Sequence, residues 1–154
     1  MDGRTTRWVA GGIRNKDSHR SARLDLIELI QALVTEHEID PDRIYLTGQS
    51  MGGVGTWGIV AQHADRFAAA APVCGMWRVE DAARMKSVPL WAFHGAADKT
   101  VPVSGSRDMI AAIHAAGGEP KYTEFPDVGH GSWEPAYAMG EFWDWLFEQS
   151  LAKR

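Results

Sequence analysis

Two hydrophobic rhythms alternate along the chain. Leu26, Ile27, Ile30, Leu33 and Val34 recur at helical spacing while Arg23, Glu28 and Glu36 fall elsewhere on the cylinder, which predicts a helix over residues 18–38 with one apolar face to cover. Asp40-Pro41-Asp42 ends it by turn chemistry and a fixed proline φ, and Ile44-Tyr45-Leu46-Thr47 predicts a short strand that stops at Gly48. Val54, Trp57, Ile59 and Val60 predict a second helix, at 55–63. The Ala-rich apolar run at 67–73, bounded by Pro72 and Gly75, reads as a buried strand, and 89–93 as another. Residues 104–116 then predict a helix that Gly117-Gly118 terminates, followed by a last strand at 121–125. Phe142, Trp145, Leu146 and Gln149 share helical spacing in a closing helix at 137–151.

Strands alternating with helices of this length imply βαβ units, right-handed crossovers and a parallel sheet covered on both faces. The predicted fold is therefore α/β: a three-layer α/β/α sandwich on a mainly parallel sheet. At 154 residues, without a repeat, linker or low-complexity stretch, the chain reads as a single domain over 1–154, able to bury a core without disulfides or metals. A net charge of -4 and the lack of a Lys/Arg cluster leave nothing to neutralise a row of phosphates, so no nucleic-acid partner is expected. One cysteine, Cys74, excludes an internal disulfide and a multi-cysteine metal site, and is read as a small buried residue beside a strand end. Residues 1–7 carry charges with no apolar stretch of the signal-peptide kind behind them, and no apolar run approaches 18 residues. The expectation is a cytoplasmic protein with no membrane partner.

Chemistry enters at Gly48-Gln49-Ser50-Met51-Gly52. This G-x-S-x-G pattern sits between a predicted strand and a predicted helix, the context in which a serine is presented on a sharp turn and flanking glycines remove clashing Cβ atoms. The helix beneath adds a positive partial charge, and the Met51 amide is placed to donate to an oxyanion. A hydroxyl needs a base, and the base needs a carboxylate to hold its tautomer. Of six histidines, His130 in Asp127-Val128-Gly129-His130-Gly131 lies in a glycine-flanked loop after the last strand, over the carboxyl ends of the sheet. His19, His37, His63 and His114 fall in predicted helices or at their ends and read as surface residues. His94 closes the strand at 89–93 and is given a packing or hydrogen-bonding role. Asp98, in the loop after that strand, is the expected partner of His130. Asp127 is the rival carboxylate, read as a loop cap.

Nucleophile, acid and base thus fall in the order Ser50, Asp98, His130, the order of the α/β-hydrolase fold and not of chymotrypsin-like or subtilisin-like folds. With Asp42-Arg43-Ile44-Tyr45-Leu46-Thr47-Gly48-Gln49-Ser50-Met51-Gly52-Gly53, Phe93-His94-Gly95-Ala96-Ala97-Asp98, Val101-Pro102 and residues 122–135 in view, the segment from Asp40 to Tyr137 resembles bacterial α/β-hydrolases of the dienelactone-hydrolase-like, feruloyl-esterase/polyhydroxybutyrate-depolymerase-like and prolyl-oligopeptidase-like kinds. The resemblance implies a serine carboxylesterase that hydrolyses short-chain carboxylic esters through an acyl-enzyme, with no cofactor and no metal, and places its triad on Ser50, Asp98 and His130. Dienelactone hydrolase itself differs in having a cysteine nucleophile.

Members of the family usually carry several strands before the nucleophile strand, one of which leads into a loop that supplies the second oxyanion amide. Only residues 1–17 precede the first predicted helix here, so a truncated α/β-hydrolase fold is expected, with Gly12 of the Gly11-Gly12 pair as substitute donor. The strand at 44–47 is then expected to have an unpaired apolar edge, which predicts a homo-oligomer. Gln49 and Trp133 are the expected walls of the substrate pocket. The competing readings are a prolyl-oligopeptidase-type serine peptidase with the same triad, and a catalytically weak remnant serving as an interaction module.

Overall fold

In a computed structural model of the chain, backbone structure is described over residues 16–154 and side chains over 26–154. The chain forms two compact units, Met1–Pro41 and Asp42–Arg154. Within the described part of the first unit, α1 (Lys16–Glu36) is a 21-residue helix that begins and ends two residues ahead of the predicted span.

The second unit holds β1 (Tyr45–Gln49), α2 (Met51–Val60), β2 (Ala69–Val73), β3 (Trp91–Gly95), α3 (Ser104–Ala115), β4 (Lys121–Phe125), α4 (Trp133–Ala138) and α5 (Gly140–Glu148). Short 3-10 turns at Pro41–Arg43, Ala64–Arg66, Val79–Arg84 and Leu151–Lys153 link or follow these elements. All strand pairs are parallel and the order is β1-β2-β3-β4, so each new strand is added on the same side of the last. Tyr45 lies beside Ala69 and Gln49 beside Val73, while Trp91 lies beside Lys121 and Gly95 beside Phe125. Among the described residues, β1 pairs with β2 alone. No helix of the described residues is long and apolar enough to cross a membrane.

Alternation along the strands sorts the core into two faces. Ala69, Ala71 and Val73 of β2 and Trp91 and Phe93 of β3 form one buried cluster with Ala136 of α4 and Phe142 and Leu146 of α5. The cluster is dense in aromatic contacts: Phe142 meets Phe93 at 5.2 Å and Trp91 at 6.2 Å, both edge to face. The opposite face of β3 carries Ala92 and His94, with His94 bonded to Ser106 of α3. Right-handed crossovers put α2 on the same side as α3. Helix, sheet and helix thus make the three layers that the periodicity predicts.

The closing helix of the prediction is two helices. Met139 takes an extended backbone (φ -75, ψ 112), ends α4 and caps α5. Apolar spacing is blind to one extended residue between two helical runs. Pro135 fits inside the first turn of α4, where no intrahelical N–H is lost. The strand predicted at 89–93 runs instead over Trp91–Gly95, two residues toward the site, so that His94 and Gly95 are its last members.

At the open edge of β4, Arg107 of α3 grips Glu124 through two bonds of 2.6 and 2.8 Å, and the Tyr122 hydroxyl donates to the same carboxylate at 2.8 Å. The Arg107 fork outweighs the effect of burial and holds Glu124 down at about 2. A carboxyl depressed in the folded state stabilises above its ordinary pKa of 4.5, and that contribution drains away as pH falls toward about 2. Glu124→Gln is therefore expected to lower the melting temperature at neutral pH, with the deficit shrinking steadily below pH 4.5 when followed by thermal denaturation. A deficit that is the same at every pH contradicts the ion-pair account.

Candidate active site

The chain turns from β1 into α2 at a single residue, Ser50. Its backbone lies at φ 54, ψ -116, a left-handed region that side chains rarely adopt, and it is held there by its amide, which bonds Val73 O at 2.9 Å and Cys74 Sγ at 3.2 Å. α2 begins at Met51, four residues earlier than the prediction, because Gly52, Gly53 and Gly55 weaken the local helix signal. Gly53 is there for room: a Cβ at that position meets Val73 O at 2.3 Å. Serine at the start of a helix ordinarily bonds the first free backbone amides. Here the hydroxyl makes no capping bond and is left for other chemistry.

That hydroxyl lies 2.8 Å from Nε2 of His130, and Nδ1 of the same ring lies 2.8 Å from Oδ2 of Asp98. A carboxylate only accepts, so Nδ1 carries the hydrogen, Nε2 presents its lone pair, and Ser50 Oγ–H donates to it. The three residues come from three strand ends: β1 leads to Ser50, the loop after β3 holds Asp98, and the loop after β4 holds His130. Gly95 makes the last two loops meet, since a Cβ on it falls 2.2 Å from the carbonyls of both Val128 and Gly129.

Asp98 is fully enclosed at its side chain. Burial pushes its carboxyl up, but the His130 ring on Oδ2 and the amides of Val101 (3.0 Å) and Thr100 (2.8 Å) on Oδ1 together hold it below the ordinary carboxylate range. It is therefore ionised at neutral pH. Close to Asp98 and His130 lies Cys74, buried and itself at positive φ, its thiol pushed up by burial. Among the described residues, Cys74, Asp98 and His130 are the one group able to bring three metal-type ligand atoms within 4.8 Å of one another. Nδ1–H of His130 is committed to Asp98, so metal ligation and the hydrogen-bonded chain exclude each other at that nitrogen.

The structure brings Ser50, Asp98 and His130 together. Asp127 is exposed, and the carboxylate on the ring is that of Asp98. His37 and His114 are exposed, in keeping with surface roles, whereas His63 is half-buried at the start of a 3-10 turn. Met51 and Gln49 are exposed beside Ser50, and the Trp133 ring stands edge-on to the His130 ring at 5.5 Å. Gly12, the expected second oxyanion donor, lies outside the described residues. Sequence reasoning missed that the His94 ring also reaches Asp98, at 3.3 Å. The proximity of the two residues in the His94-Gly95-Ala96-Ala97-Asp98 run was the available signal.

A parallel sheet whose strand ends carry a serine, a carboxylate and an imidazole in this order defines the class: an α/β-hydrolase fold with the residues of a serine-hydrolase triad at its strand ends. The chain belongs to the prolyl oligopeptidase family, whose model matches residues 7–85, just over half of it. A crystal structure of a thermostable esterase superposes on 84% of the chain with a TM-score of 0.81 and 41% sequence identity. An acylaminoacyl peptidase of Pyrococcus horikoshii superposes on 86% with a TM-score of 0.71 at 21% identity, a likeness of fold alone. The bifunctional acetylxylan esterase/xylanase XynS20E of Neocallimastix patriciarum is 35% identical over 71 residues, 46% of this chain. The chain spans only part of each relative: 37% of the thermostable esterase, 28% of the peptidase and 11% of the esterase/xylanase.

Proposed function

We propose that this chain is a carboxylesterase acting on short-chain carboxylic esters through an acyl-enzyme, with Ser50 as nucleophile, His130 as general base and Asp98 as the carboxylate that orients His130. The observation that carries the proposal is the unbroken chain of two 2.8 Å hydrogen bonds from Ser50 Oγ through the imidazole to Asp98. Ser50 Oγ attacks the ester carbonyl while its proton passes to Nε2 of His130. The Met51 amide, at the first turn of α2, supports the negative charge that develops on the carbonyl oxygen. As the tetrahedral intermediate collapses, His130 returns the proton to the alkoxide, the alcohol leaves, and the acyl group stays on Ser50. Water then repeats the sequence, His130 taking its proton, and releases the carboxylic acid. Asp98 stays ionised throughout and keeps Nδ1–H pointing at itself, which leaves Nε2 free to take and return protons.

The likeness to an esterase at 41% identity favours esters, and the exposed Gln49 and Met51 beside Ser50 favour a short acyl group at an open site, with Trp133 walling the imidazole side. The family match over residues 7–85 keeps a second reading, a serine peptidase that uses the same triad. Two assays divide them. Purified protein is expected to hydrolyse p-nitrophenyl acetate and to leave a chromogenic proline peptide uncut; cleavage of the peptide with no ester turnover reverses the assignment.

A further inference from the structure

His94 is fully buried, and both ring nitrogens are engaged. Nδ1 lies 2.8 Å from Ser106 Oγ, which in turn is 3.1 Å from Gly75 O; Nε2 lies 3.1 Å from Val101 O and 3.3 Å from Asp98 Oδ2. A peptide carbonyl and an ionised carboxylate both only accept, so Nε2 must bear a hydrogen; it is bonded to Val101 O, and Asp98 Oδ2 lies 3.3 Å from the same N–H. The oxygen it faces is the same Oδ2 that receives Nδ1–H of His130. Oδ1 is taken by the amides of Thr100 and Val101. Nothing in ester hydrolysis as derived above uses His94.

We propose that His94 is a positioning residue of the triad, resting on the serine-hydrolase reading of the site: it anchors the Asp98 carboxylate and, by sharing Oδ2 with His130, sets how basic His130 is. Two consequences separate this from a packing role. Each donor on a carboxylate oxygen draws off negative charge that otherwise stabilises a neighbouring imidazolium. Loss of the His94 N–H beside Oδ2 is therefore expected to move the acid limb of kcat/KM, which reports the base in its unprotonated form, to higher pH. Loss of the anchor also frees Asp98 to swing, which lowers kcat with little change in KM.

The other ionisable groups around this point stay fixed across the relevant range. Glu124, beside His94 in register on β4, is held at about 2 by Arg107 of α3. Cys74, at the end of β2, has its thiol raised above 9.0 by burial. A limb that moves between about pH 5 and 8 thus belongs to His130 and its partners.

Side-chain isosteres make the test. Glutamine carries an N–H₂ near the place of Nε2 and keeps the contact to Asp98 and Val101; asparagine carries its amide near the place of Nδ1 and keeps only Ser106. With p-nitrophenyl acetate as substrate, His94→Asn is expected to shift the acid limb upward by about half a pH unit and to cut kcat about tenfold. His94→Gln is expected to return the limb to its original place and recover most of kcat, and Ser106→Ala is expected to leave the limb unmoved. Equal limbs in wild type and His94→Asn, or equal behaviour of the Asn and Gln variants, overturn the proposal while fluorophosphonate labelling of Ser50 still upholds the serine-hydrolase reading. Failure of wild type to take the label sinks that reading instead. If His94→Asn does not fold, proton NMR of the wild type decides: a downfield N–H resonance from His94 that moves as His130 titrates supports sharing of Oδ2, and one that stays still refutes it.

Discussion

Ser50→Ala is expected to reduce kcat for p-nitrophenyl acetate by about 10⁵–10⁶-fold, to abolish labelling by a fluorophosphonate and to leave the circular dichroism spectrum unchanged. The size of the loss follows from the geometry. His130 has one partner at Nε2, the Ser50 hydroxyl at 2.8 Å, so without it the base has no proton to take and the acyl group no oxygen to occupy. The fold should survive because the hydroxyl makes no capping bond, while the contacts that shape the turn belong to the Ser50 amide and are kept by alanine. A variant that retains a tenth of the original rate would place the nucleophile elsewhere.

The largest expected loss of stability comes from Phe142→Ala. Phe142 is fully buried in α5, and its ring meets Phe93, Trp91, Trp143, Tyr137 and Trp145. Removing it strips the contacts that join the last helix to the centre of the sheet and leaves a cavity between rigid aromatic walls that close poorly. A cost of about 3–5 kcal/mol is expected, measured by urea unfolding of the two proteins. Against a typical total of about 5–15 kcal/mol, that loss leaves little folded protein to spare. A cost below about 1 kcal/mol would mean that α5 is not anchored through this ring.

Much of this was legible because the local signals agreed with one another. The G-x-S-x-G pentapeptide stood between a β-branched run and an apolar helical stripe, and Asp98 and His130 each followed a run of strand-forming residues, so chain order alone assembled the triad. Less legible were features in which one residue serves two neighbours. Glycines at 52, 53 and 55 lowered the helix signal of α2, though Gly53 is required by a strand carbonyl. Met139, extended between two helices, has no compositional mark. His94 was correctly placed at a strand end, but which of its neighbours it touches depends on the pleat of β3, and the strand lay two residues away from its predicted span.

Two non-glycine residues take positive φ among the described residues, Ser50 and Cys74, and they sit at the adjoining ends of neighbouring strands. The amide of the first is bonded to the sulfur of the second and to the carbonyl just before it. The unusual shape of the serine is therefore underwritten by a different stretch of chain. Transplanting residues 48–52 onto another scaffold would carry the letters of the pattern without the brace, and the grafted loop would relax to an ordinary turn with its hydroxyl unaimed.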